Sequence, residues 1–570
     1  MHPLFVVSIG VAIVIVGVLF VRLHAFLALI LAALVVAILT SPAEIQKFGI
    51  SQRKYRVTQV QDHEGTVRMV MDVGSNAKPP VESLVHVYET VADAAAGEPK
   101  AVFATLPKSD WQVDPATQKP AYPTARFVRG STDIRVGQIV IAPAELQAAL
   151  NAPKKTIGER VASAFGSTCT SIGILIAMAA IIGKCLLDSG SADRIVRSTM
   201  KVVGERGAPL AFIGSGFMLG IPVFFDTVFY LMIPLGKALG LRTGRNYLMY
   251  VLTIVIGGTM AHSLVPPTPG PLYVADALGV DIGVMILAGC LVGVFTCAVG
   301  WCFARFMNAR YELPLRESAE FSLEEVRAIA NRDESELRPL ALALLPILLP
   351  VFFIAGFTIL QTLNDSLQWL QESSTLFVIA KTLGNKNIAL TMAAVIGMAT
   401  LVWQKRSSLR ELSTAVQAAL ASGGVIILIT AAGGAFGGMM RQTGVAGLIE
   451  SLPSMSSTIV IVLAFLITTA IRTAQGSATV AMITAVGVLG SFASPETLGC
   501  HPVYLALAIG CGSKPIAWMN DSGFWVICTM SGMEEREGLK YITPLSILMG
   551  MAGLIVTVLA ANFFPLSQVT

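Results

Sequence analysis

Residues 174–196 read ILIAMAAIIGKCLLDSGSADRIV, and residues 428–450 read LITAAGGAFGGMMRQTGVAGLIE. Each stretch is an apolar helical run that ends in a turn rich in small residues. When the chain is shifted by 254 residues, the two stretches share five identical positions. These are Ala177 and Ala431, Gly183 and Gly437, Gly190 and Gly444, Ala192 and Ala446, and Ile195 and Ile449. The same order of features continues downstream, so the sequence predicts an internal duplication.

The composition of the chain indicates a membrane protein. Of 570 residues, 54% are hydrophobic and only 13% are charged, whereas soluble domains carry about 25% charged residues. Many apolar runs approach the roughly 20 residues with which a helix spans a bilayer. A second apolar run follows the first after a short gap, which argues against a cleavable signal peptide. We therefore expect a polytopic, all-α membrane protein.

Several other classes of protein are disfavoured. No basic stripe with interleaved aromatic residues indicates nucleic-acid binding. All eight cysteines lie within or beside apolar runs, and no CxxC pair occurs, so we expect neither a disulfide framework nor a zinc site. No spacing of a nucleophile with a base, or of metal ligands, points to an enzyme. We expect no cofactor and no metal.

The distribution of Lys and Arg predicts that the two halves are inverted. Residues 193–207 contain four basic residues, whereas the aligned residues 447–461 contain none. The pair 236–247 and 490–501 differs in the same way. Because short loops rich in Lys and Arg face the cytoplasm, equivalent loops would face opposite sides. Inverted repeats with a binding site at the midplane are typical of secondary transporters.

A path that places the basic loops in the cytoplasm requires residues 208–235 and 457–491 to enter and leave the membrane on the same side, as re-entrant hairpins. Each repeat then has about five transmembrane helices and one hairpin. The predicted segments follow in chain order. They are N-terminal helices of repeat 1 (1–41), a small β-rich insert outside the cytoplasm (42–158), the core of repeat 1 with its hairpin (159–304), a cytoplasmic linker (305–338) and repeat 2 with its hairpin (339–570). Within the insert, residues 55–60, 66–73, 101–106 and 134–141 are β-type runs between turn clusters.

Four polar interruptions of the apolar pattern fall at matching points of the two repeats. They are GIPVFFD at 220–226, HSLVPPTPGP at 262–271, RTAQGSAT at 472–479 and WMNDSG at 518–523. Irregular backbone at membrane depth is tolerated only where it is buried or lines a cavity. We therefore expect the four interruptions to converge near the repeat interface. Helix N-termini and free amides at such a place favour a carboxylate.

Because charge is costly inside a membrane, charged residues in these interruptions indicate a functional or structural role. Arg472 is a candidate clamp for an anionic substrate; alternatively, it forms a structural ion pair with Asp226 or Asp521. Either carboxyl group is a candidate proton carrier, although Asp521 could simply cap a helix. His262 is a candidate proton relay, or a packed side chain beside a proline-rich turn.

Four motifs together resemble the GntP family of gluconate:H⁺ symporters, within the ion transporter superfamily. They are GIPVFFDTVFYLMIPL, HSLVPPTPGP, RTAQGSATVA and NDSGFW, and the resemblance covers both repeats. It implies proton-driven transport of gluconate, related aldonates or ketoaldonates, or D-serine, and a homodimer with elevator-type movement. Thr268 stands where family members often have histidine, so the role of that histidine does not carry over. The insert is larger than we expect for the family.

We predict proton-coupled uptake of gluconate or a related sugar acid across the bacterial inner membrane. The partners would be a small organic anion, protons, membrane lipid and a second copy of the chain. Asp226, His262 and Asp521 would couple protons. The predicted substrate contacts are Pro222, Phe225, Asp226, Pro267, Thr268, Gly270, Arg472, Gln475, Gly476, Ser477, Thr479, Asn520, Asp521 and Ser522.

Three alternatives remain open from the sequence. The chain could be a sodium-coupled carboxylate carrier, a permease for D-serine or another small organic anion, or a transporter-like sensor whose insert signals ligand binding. Replacing sodium by choline at fixed pH separates the two couplings. A sensor would bind ligand saturably without accumulating it in vesicles.

Overall fold

The structure is a computed structural model. It describes residues 2–19, 21, 23–63, 66–71, 83–97, 99–106, 112–113, 120–122, 124–131, 133–136, 138–316, 339–367, 374–405, 409–444, 456–490, 493, 498–519 and 521–566. The predicted cytoplasmic linker, residues 305–338, lies largely outside these residues, as does Asn520.

The described residues are mostly helical. The helices before residue 280 are α1 (Pro3–Leu19), α2 (Ala25–Leu39), α3 (Pro42–Ser51), α4 (Val91–Ala96), α5 (Pro143–Leu150), α6 (Ile157–Asp188), α7 (Ser191–Val203), α8 (Ala208–Gly220), α9 (Phe225–Thr243), α10 (Tyr247–Leu264) and α11 (Pro269–Ala277). Those after it are α12 (Ile282–Arg310), α13 (Leu340–Leu367), α14 (Thr375–Leu383), α15 (Lys386–Lys405), α16 (Leu409–Arg441), α17 (Ser457–Gln475), α18 (Ala478–Leu489), α19 (Val503–Gly512), α20 (Ser522–Ser531) and α21 (Glu535–Phe563).

Among the described residues, eight helical segments are long and apolar enough to cross a membrane. A ninth is added if α2 and α3, which meet at 104°, form one span. The sequence predicts about ten. The difference arises partly because α1 and α2 have only 17 and 15 residues, fewer than the roughly 20 that cross a bilayer straight. The chain is a multi-pass membrane protein.

The order of helices repeats along the chain. Within the described residues, six helices recur in the same order, and partners begin between 249 and 256 residues apart. The pairs are α6 with α16, α8 with α17, α9 with α18, α10 with α19, α11 with α20, and α12 with α21. These spacings lie close to the offset of 254 residues at which the two quoted stretches align.

Helices α6 and α16 hold equivalent places in this order and pack side by side in opposite directions. An added Cβ at Gly438 would come within 2.9 Å of Ala164, and one at Gly423 within 3.0 Å of Ala180. Early residues of α6 therefore face late residues of α16. Small residues permit this close approach of the two backbones.

Two helical hairpins contain predicted interruptions at their turns. Helices α8 and α9 are joined by residues 221–224, and α17 and α18 by residues 476–477. Gly476 has φ of 81°, a conformation that glycine adopts without a Cβ clash. Each hairpin packs against the other repeat: α9 packs on α20, and α18 packs on α11. Each hairpin thus contacts the helix that follows the break of the other repeat.

The insert contains a closed antiparallel β-barrel. Its strands are β1 (Tyr55–His63), β2 (Thr66–Met71), β3 (Leu84–Tyr88), β4 (Ala101–Thr105), β7 (Thr124–Gly130) and β8 (Ile139–Ile141), in the order β1-β2-β7-β4-β3-β8. Strands β5 (Gln112–Val113) and β6 (Pro120–Tyr122) form a separate pair. Closure removes exposed strand edges, and the interior is filled by apolar side chains, among them Phe103 and Met69.

The base of the insert lies beside the helix ends around Arg160 and Gly444. Arg160, at the start of α6, donates to the carbonyl oxygen of Ala37 at 2.8 Å and to Gln442 Oε1 at 2.9 Å. The Glu44 carboxylate lies against Gly444, where an added Cβ would come within 2.1 Å of Oε2. The insert and the C-terminal end of α16 therefore lie at the same end of the helical bundle.

Candidate functional site

The four interruptions border one cavity of about 450 Å³, a size typical of small-molecule sites. The N-terminal ends of α9, α18 and α20 meet there, together with the residues that follow α19. The sides of α10, α16 and α21 complete the wall with residues such as Thr259, Ser422 and Ser546. The cavity therefore lies between the two repeats.

The N-termini of three helices face the cavity, and each is the positive end of a helix macrodipole. Ser477 Oγ caps α18 by accepting from the Val480 amide at 3.3 Å, and Asp521 Oδ1 caps α20 by accepting from the Gly523 amide at 2.9 Å. Helix α9 has no side-chain cap at Phe224. First-turn amides of α9 therefore remain available as donors, and all three ends favour a bound anion.

Arg472 joins the second hairpin to the break after α19. Its Nε donates to the carbonyl oxygen of Ser513 at 3.0 Å, and its terminal nitrogens donate to the Gly476 carbonyl oxygen and to Asp521 Oδ2. The side chains of Arg472 and Asp521 are 5% and 14% exposed. The structure thus has the ion pair with Asp521 that the sequence leaves open as an alternative to a substrate clamp.

Lys514 is a second cation in the wall of the cavity, and only 8% of it is exposed. Among the residues that the structure describes, its ammonium group has no ion-pair partner. Burying a charge without a partner is costly. Among the described residues, the site therefore contains one cation with an ion-pair partner, Arg472, and one without, Lys514.

Asp226 and His262 lie on the side of the first repeat. The Asp226 carboxylate is open to the cavity and makes no hydrogen bond or ion pair with a described residue. His262 Nδ1 is buried and has no hydrogen-bond partner within the described part of the chain, and its ring meets the Phe224 ring edge to face at 6.3 Å between centroids. Both groups are therefore free to bind a ligand or a proton.

Hydroxyl groups provide the remaining polar surface. Thr259 and Thr430 donate to carbonyl oxygens of their own helices at 2.7 Å. Thr227, Ser422, Thr479 and Ser522 also line the cavity, and their hydroxyls have no hydrogen bond with a described residue. These four groups are available to a hydroxylated ligand.

Comparison with known proteins gives the family. The pattern of the GntP family permease matches residues 138–563, which is most of the chain. The chain belongs to the GntP family of permeases. Residues 42–137 of the insert lie outside this match.

Relatives in the GntP family include an uncharacterized permease of Haemophilus influenzae, 32% identical over 70% of this chain and 82% of the relative. A gluconate permease of Pseudomonas aeruginosa is 30% identical over 73% of this chain and 90% of the relative. Neisseria gonorrhoeae MtrF, described within a class of antimetabolite efflux pumps, has a similar fold with a TM-score of 0.53 at 15% identity. That alignment covers 76% of this chain and 88% of MtrF. Like other GntP proteins, this chain is a permease and not an enzyme.

The cavity of this GntP permease brings together eight of the predicted site residues: Phe225, Asp226, His262, Arg472, Ser477, Thr479, Asp521 and Ser522. They come from both repeats and from all four interruptions. This convergence arises because each hairpin packs on the broken region of the opposite repeat.

Other predicted residues lie close by but do not line this cavity. Pro222 lines a neighbouring cavity of about 170 Å³, and Pro267 lines an apolar one of about 10 Å³. The Thr268 hydroxyl donates to the Val265 carbonyl oxygen at 2.6 Å, and Gly270 packs against Met482. Gln475 and Gly476 are buried in the hairpin turn, and neither polar atom of the Gln475 amide has a hydrogen-bond partner in the residues that the structure describes. Asn520 lies outside the described residues.

Lys514 is absent from the predicted residues of this GntP site, although a sequence signal for it exists. It is the only Lys or Arg between Cys500 and Asp521. The physical rule that selects Arg472, a charge within an apolar stretch, applies equally to Lys514. Its place after Cys511-Gly512-Ser513 resembles a loop in sequence, and only the fold turns that loop toward the cavity.

Proposed function

We propose that this permease takes up gluconate or a related sugar acid together with a proton across the bacterial inner membrane. The observation that carries the proposal is the cavity between the repeats, where three helix N-termini and an ammonium group without an ion-pair partner among the described residues face the hydroxyls. Relatives named gluconate permeases support the choice of substrate.

A sugar acid matches the cavity at both of its ends. Its carboxylate fits the helix N-termini and the Lys514 ammonium. Its polyol chain fits the free hydroxyls of Thr227, Ser422, Thr479 and Ser522. An alkyl acid would cover these hydroxyls without giving them a hydrogen-bond partner, which is costly, so a hydroxylated substrate would be favoured over an alkyl acid.

The charges of the cavity favour coupling to one proton. Asp521 is held by Arg472 and by the Gly523 amide, so its charge is already balanced. With Lys514 and Asp226 both charged, an anion in the cavity gives the loaded site one net negative charge. A proton on Asp226 restores neutrality, and translocation then moves no net charge against the membrane potential, which acts with about 2.3 kcal/mol per charge per 100 mV.

We infer the transport architecture from the same packing. Equivalent helices α6 and α16 run antiparallel, as inverted repeats require. The α8–α9 and α17–α18 hairpins would be re-entrant, with the insert outside the cytoplasm. Alternating access would expose the cavity to each side in turn, in a homodimer.

The test uses purified protein in proteoliposomes with labelled gluconate. We expect accumulation driven by an inward proton gradient, unchanged when choline replaces sodium at fixed pH. A panel of unlabelled aldonates, ketoaldonates and D-serine competes for uptake and identifies the preferred substrate. Accumulation that requires sodium, or saturable binding without accumulation, would contradict the proposed coupling or transport.

The variant Asp226→Asn tests the coupling residue. Because the amide cannot bind the coupled proton, we expect gradient-driven accumulation to be lost while exchange of gluconate across the membrane persists. The control is Asp193→Asn, which removes a carboxylate that pairs with Arg197 at 2.8 Å outside the cavity. Normal proton-driven accumulation by Asp226→Asn would exclude Asp226 as the coupling group.

A further inference from the structure

We propose that Lys514 is the cation that receives the substrate carboxylate, and that Arg472 shapes the site without holding the anion. The inference rests on the proposed function, since it names the residue that recognises the acid. It also reverses the role that the sequence favours for Arg472.

Arg472 is already committed within the protein. Three of its five N–H donors bond to Ser513, Gly476 and Asp521. Two of these acceptors are backbone carbonyls at the hairpin turn and at the break. A substrate carboxylate at Arg472 would have to compete with Asp521, and Asp521 would then lose its balancing charge. The guanidinium therefore acts as a link between the hairpin and the break.

Lys514 has the opposite environment. It is almost fully buried and lines the cavity, yet no described carboxylate pairs with it. A buried ammonium without an anion is unfavourable, and an anion that binds beside it removes that penalty. The gain applies to an anionic ligand and not to a neutral one of the same shape. Lys514 thus provides discrimination by charge.

The backbone around Lys514 is held firmly, which fixes the direction of the side chain. Pro515 packs on α21, where an added Cβ at Gly550 would come within 2.7 Å of its ring. Ile516 has φ of 58°, a strained conformation for a β-branched residue. The Ala517 amide donates to Ser546 Oγ at 3.1 Å. Strain of this kind persists only where the surroundings impose it, so the break is a built feature of the site.

The geometry of the two cations suits this division of labour. A guanidinium fork binds several acceptors in fixed directions, as Arg472 does, whereas an ammonium group is a compact charge with rotatable donors. The helix N-termini provide directional N–H donors for the carboxylate. Lys514 then has only to supply charge, while the amides fix orientation.

The experiment compares gluconate with gluconamide, in which a neutral amide replaces the carboxylate and the polyol chain is unchanged. Binding to detergent-purified protein is followed by the ligand-dependent shift of the melting temperature. In the wild type we expect gluconate to bind at least about tenfold more tightly, as for a charge-assisted contact. In Lys514→Met we expect the ratio of the two affinities to fall at least several-fold, to the smaller preference that the helix N-termini provide.

Two controls accompany this variant. Lys540→Met removes a lysine that stacks on Tyr311 at 3.4 Å and does not line the cavity, and it should keep the wild-type ratio. Lys514→Arg retains the charge and should retain a preference for gluconate. A variant with merely disturbed folding would lose affinity for both ligands, whereas loss of the ratio reports on charge recognition.

A measurement on the wild type guards against misfolding of Lys514→Met. A small amine-reactive reagent modifies lysines, and mass spectrometry quantifies modification at Lys514 and at Lys540. Gluconate should protect Lys514 but not Lys540, and gluconamide should protect neither to the same extent. Equal modification of Lys514 with and without gluconate would overturn the inference.

The two proposals fail in different ways. If wild-type protein binds and transports sugar acids while Lys514→Met keeps the wild-type ratio of affinities for gluconate and gluconamide, only the role of Lys514 is refuted. If the wild type takes up no sugar acid, the proposed function itself is refuted, and the inference falls with it.

Discussion

Asp521 combines two contacts that can be separated by substitution. One carboxylate oxygen balances Arg472 and the other caps α20 through the Gly523 amide at 2.9 Å. Asparagine is a good N-cap but carries no charge. The variant Asp521→Asn therefore removes the ion pair and keeps the cap, whereas Asp521→Ala removes both.

We expect Asp521→Asn to destabilise the protein by about 3–5 kcal/mol, because a buried guanidinium loses its counter-charge. Asp521→Ala should cost a further ~1 kcal/mol for the lost cap. Melting temperatures in detergent check the order of the three proteins. Arg472→Gln combined with Asp521→Asn should be less damaging than the sum of the single variants, since the two groups interact directly. Additive effects would contradict a structural ion pair.

From the sequence, candidate site residues could be chosen only where they lie within a recognisable motif. The four interruptions mark Arg472, Asp226 and Asp521, and the fold brings these residues to one cavity. Whether Arg472 binds substrate or pairs with Asp521 depends on a distance between residues 49 positions apart, which no local pattern contains. Predicting Lys514 as a site residue requires the same long-range information, because the tertiary fold determines which way the residues after α19 face.

At the scale of elements, the hairpins depend on close contact between helix backbones. An added Cβ at Gly257 of α10 would come within 2.3 Å of the Ile213 carbonyl oxygen in α8. In the second repeat, an added Cβ at Gly512 would come within 2.6 Å of the Phe465 carbonyl oxygen in α17. Backbone atoms can move less than side-chain atoms to make room for an added Cβ. The first helix of each hairpin, α8 or α17, therefore depends on a glycine in the helix that it packs against.

We expect Gly257→Ala and Gly512→Ala to lower stability by about 1–3 kcal/mol each through overpacking. Gly214→Ala is the matched control within α8, because an added Cβ there meets nothing within 4 Å. Alanine favours the helix over glycine by about 1 kcal/mol, so the control should be neutral or stabilising. Melting temperatures distinguish the outcomes, and an unharmed Gly257→Ala would argue against the close packing of α8 on α10.

The positions of the elements follow from the sequence better than their lengths do. Interruptions at 220–226 and 472–479 fall at the two hairpin turns, since glycine, proline and polar residues end apolar helices. The last predicted β-type run, 134–141, has only three residues in β8. That strand is limited by its partners β1 and β3 in the barrel, a constraint that its own residues do not contain.

At the scale of the whole molecule, the antiparallel course of α6 and α16 makes the orientation of the halves testable. Helix α6 starts beside the insert, where Arg160 contacts Gln442 at the end of α16, and it runs 32 residues to Asp188. At about 1.5 Å per residue it spans the whole thickness of a membrane. From the sequence, the charges of the loops predict that the two halves are inverted. The direct contact between α6 and α16 could not be predicted, because it depends on the tertiary fold.

Cysteines introduced one at a time at Val202, Ser456 and Val136 probe this orientation in a background in which the exposed Cys302 is serine, and that background protein without an introduced cysteine is the labelling control. Val202 and Ser456 are exposed residues that correspond at the repeat offset, and Val136 is an exposed residue of the insert. A membrane-impermeant maleimide added to intact cells should label Val136→Cys and Ser456→Cys, because the insert and the end of α16 share one face. Val202→Cys should react only after permeabilisation, since α6 carries the chain to the other face. Labelling of Val202→Cys and Ser456→Cys from one side would mean that the halves are parallel, and a site built from opposed hairpins could not then alternate between the two faces.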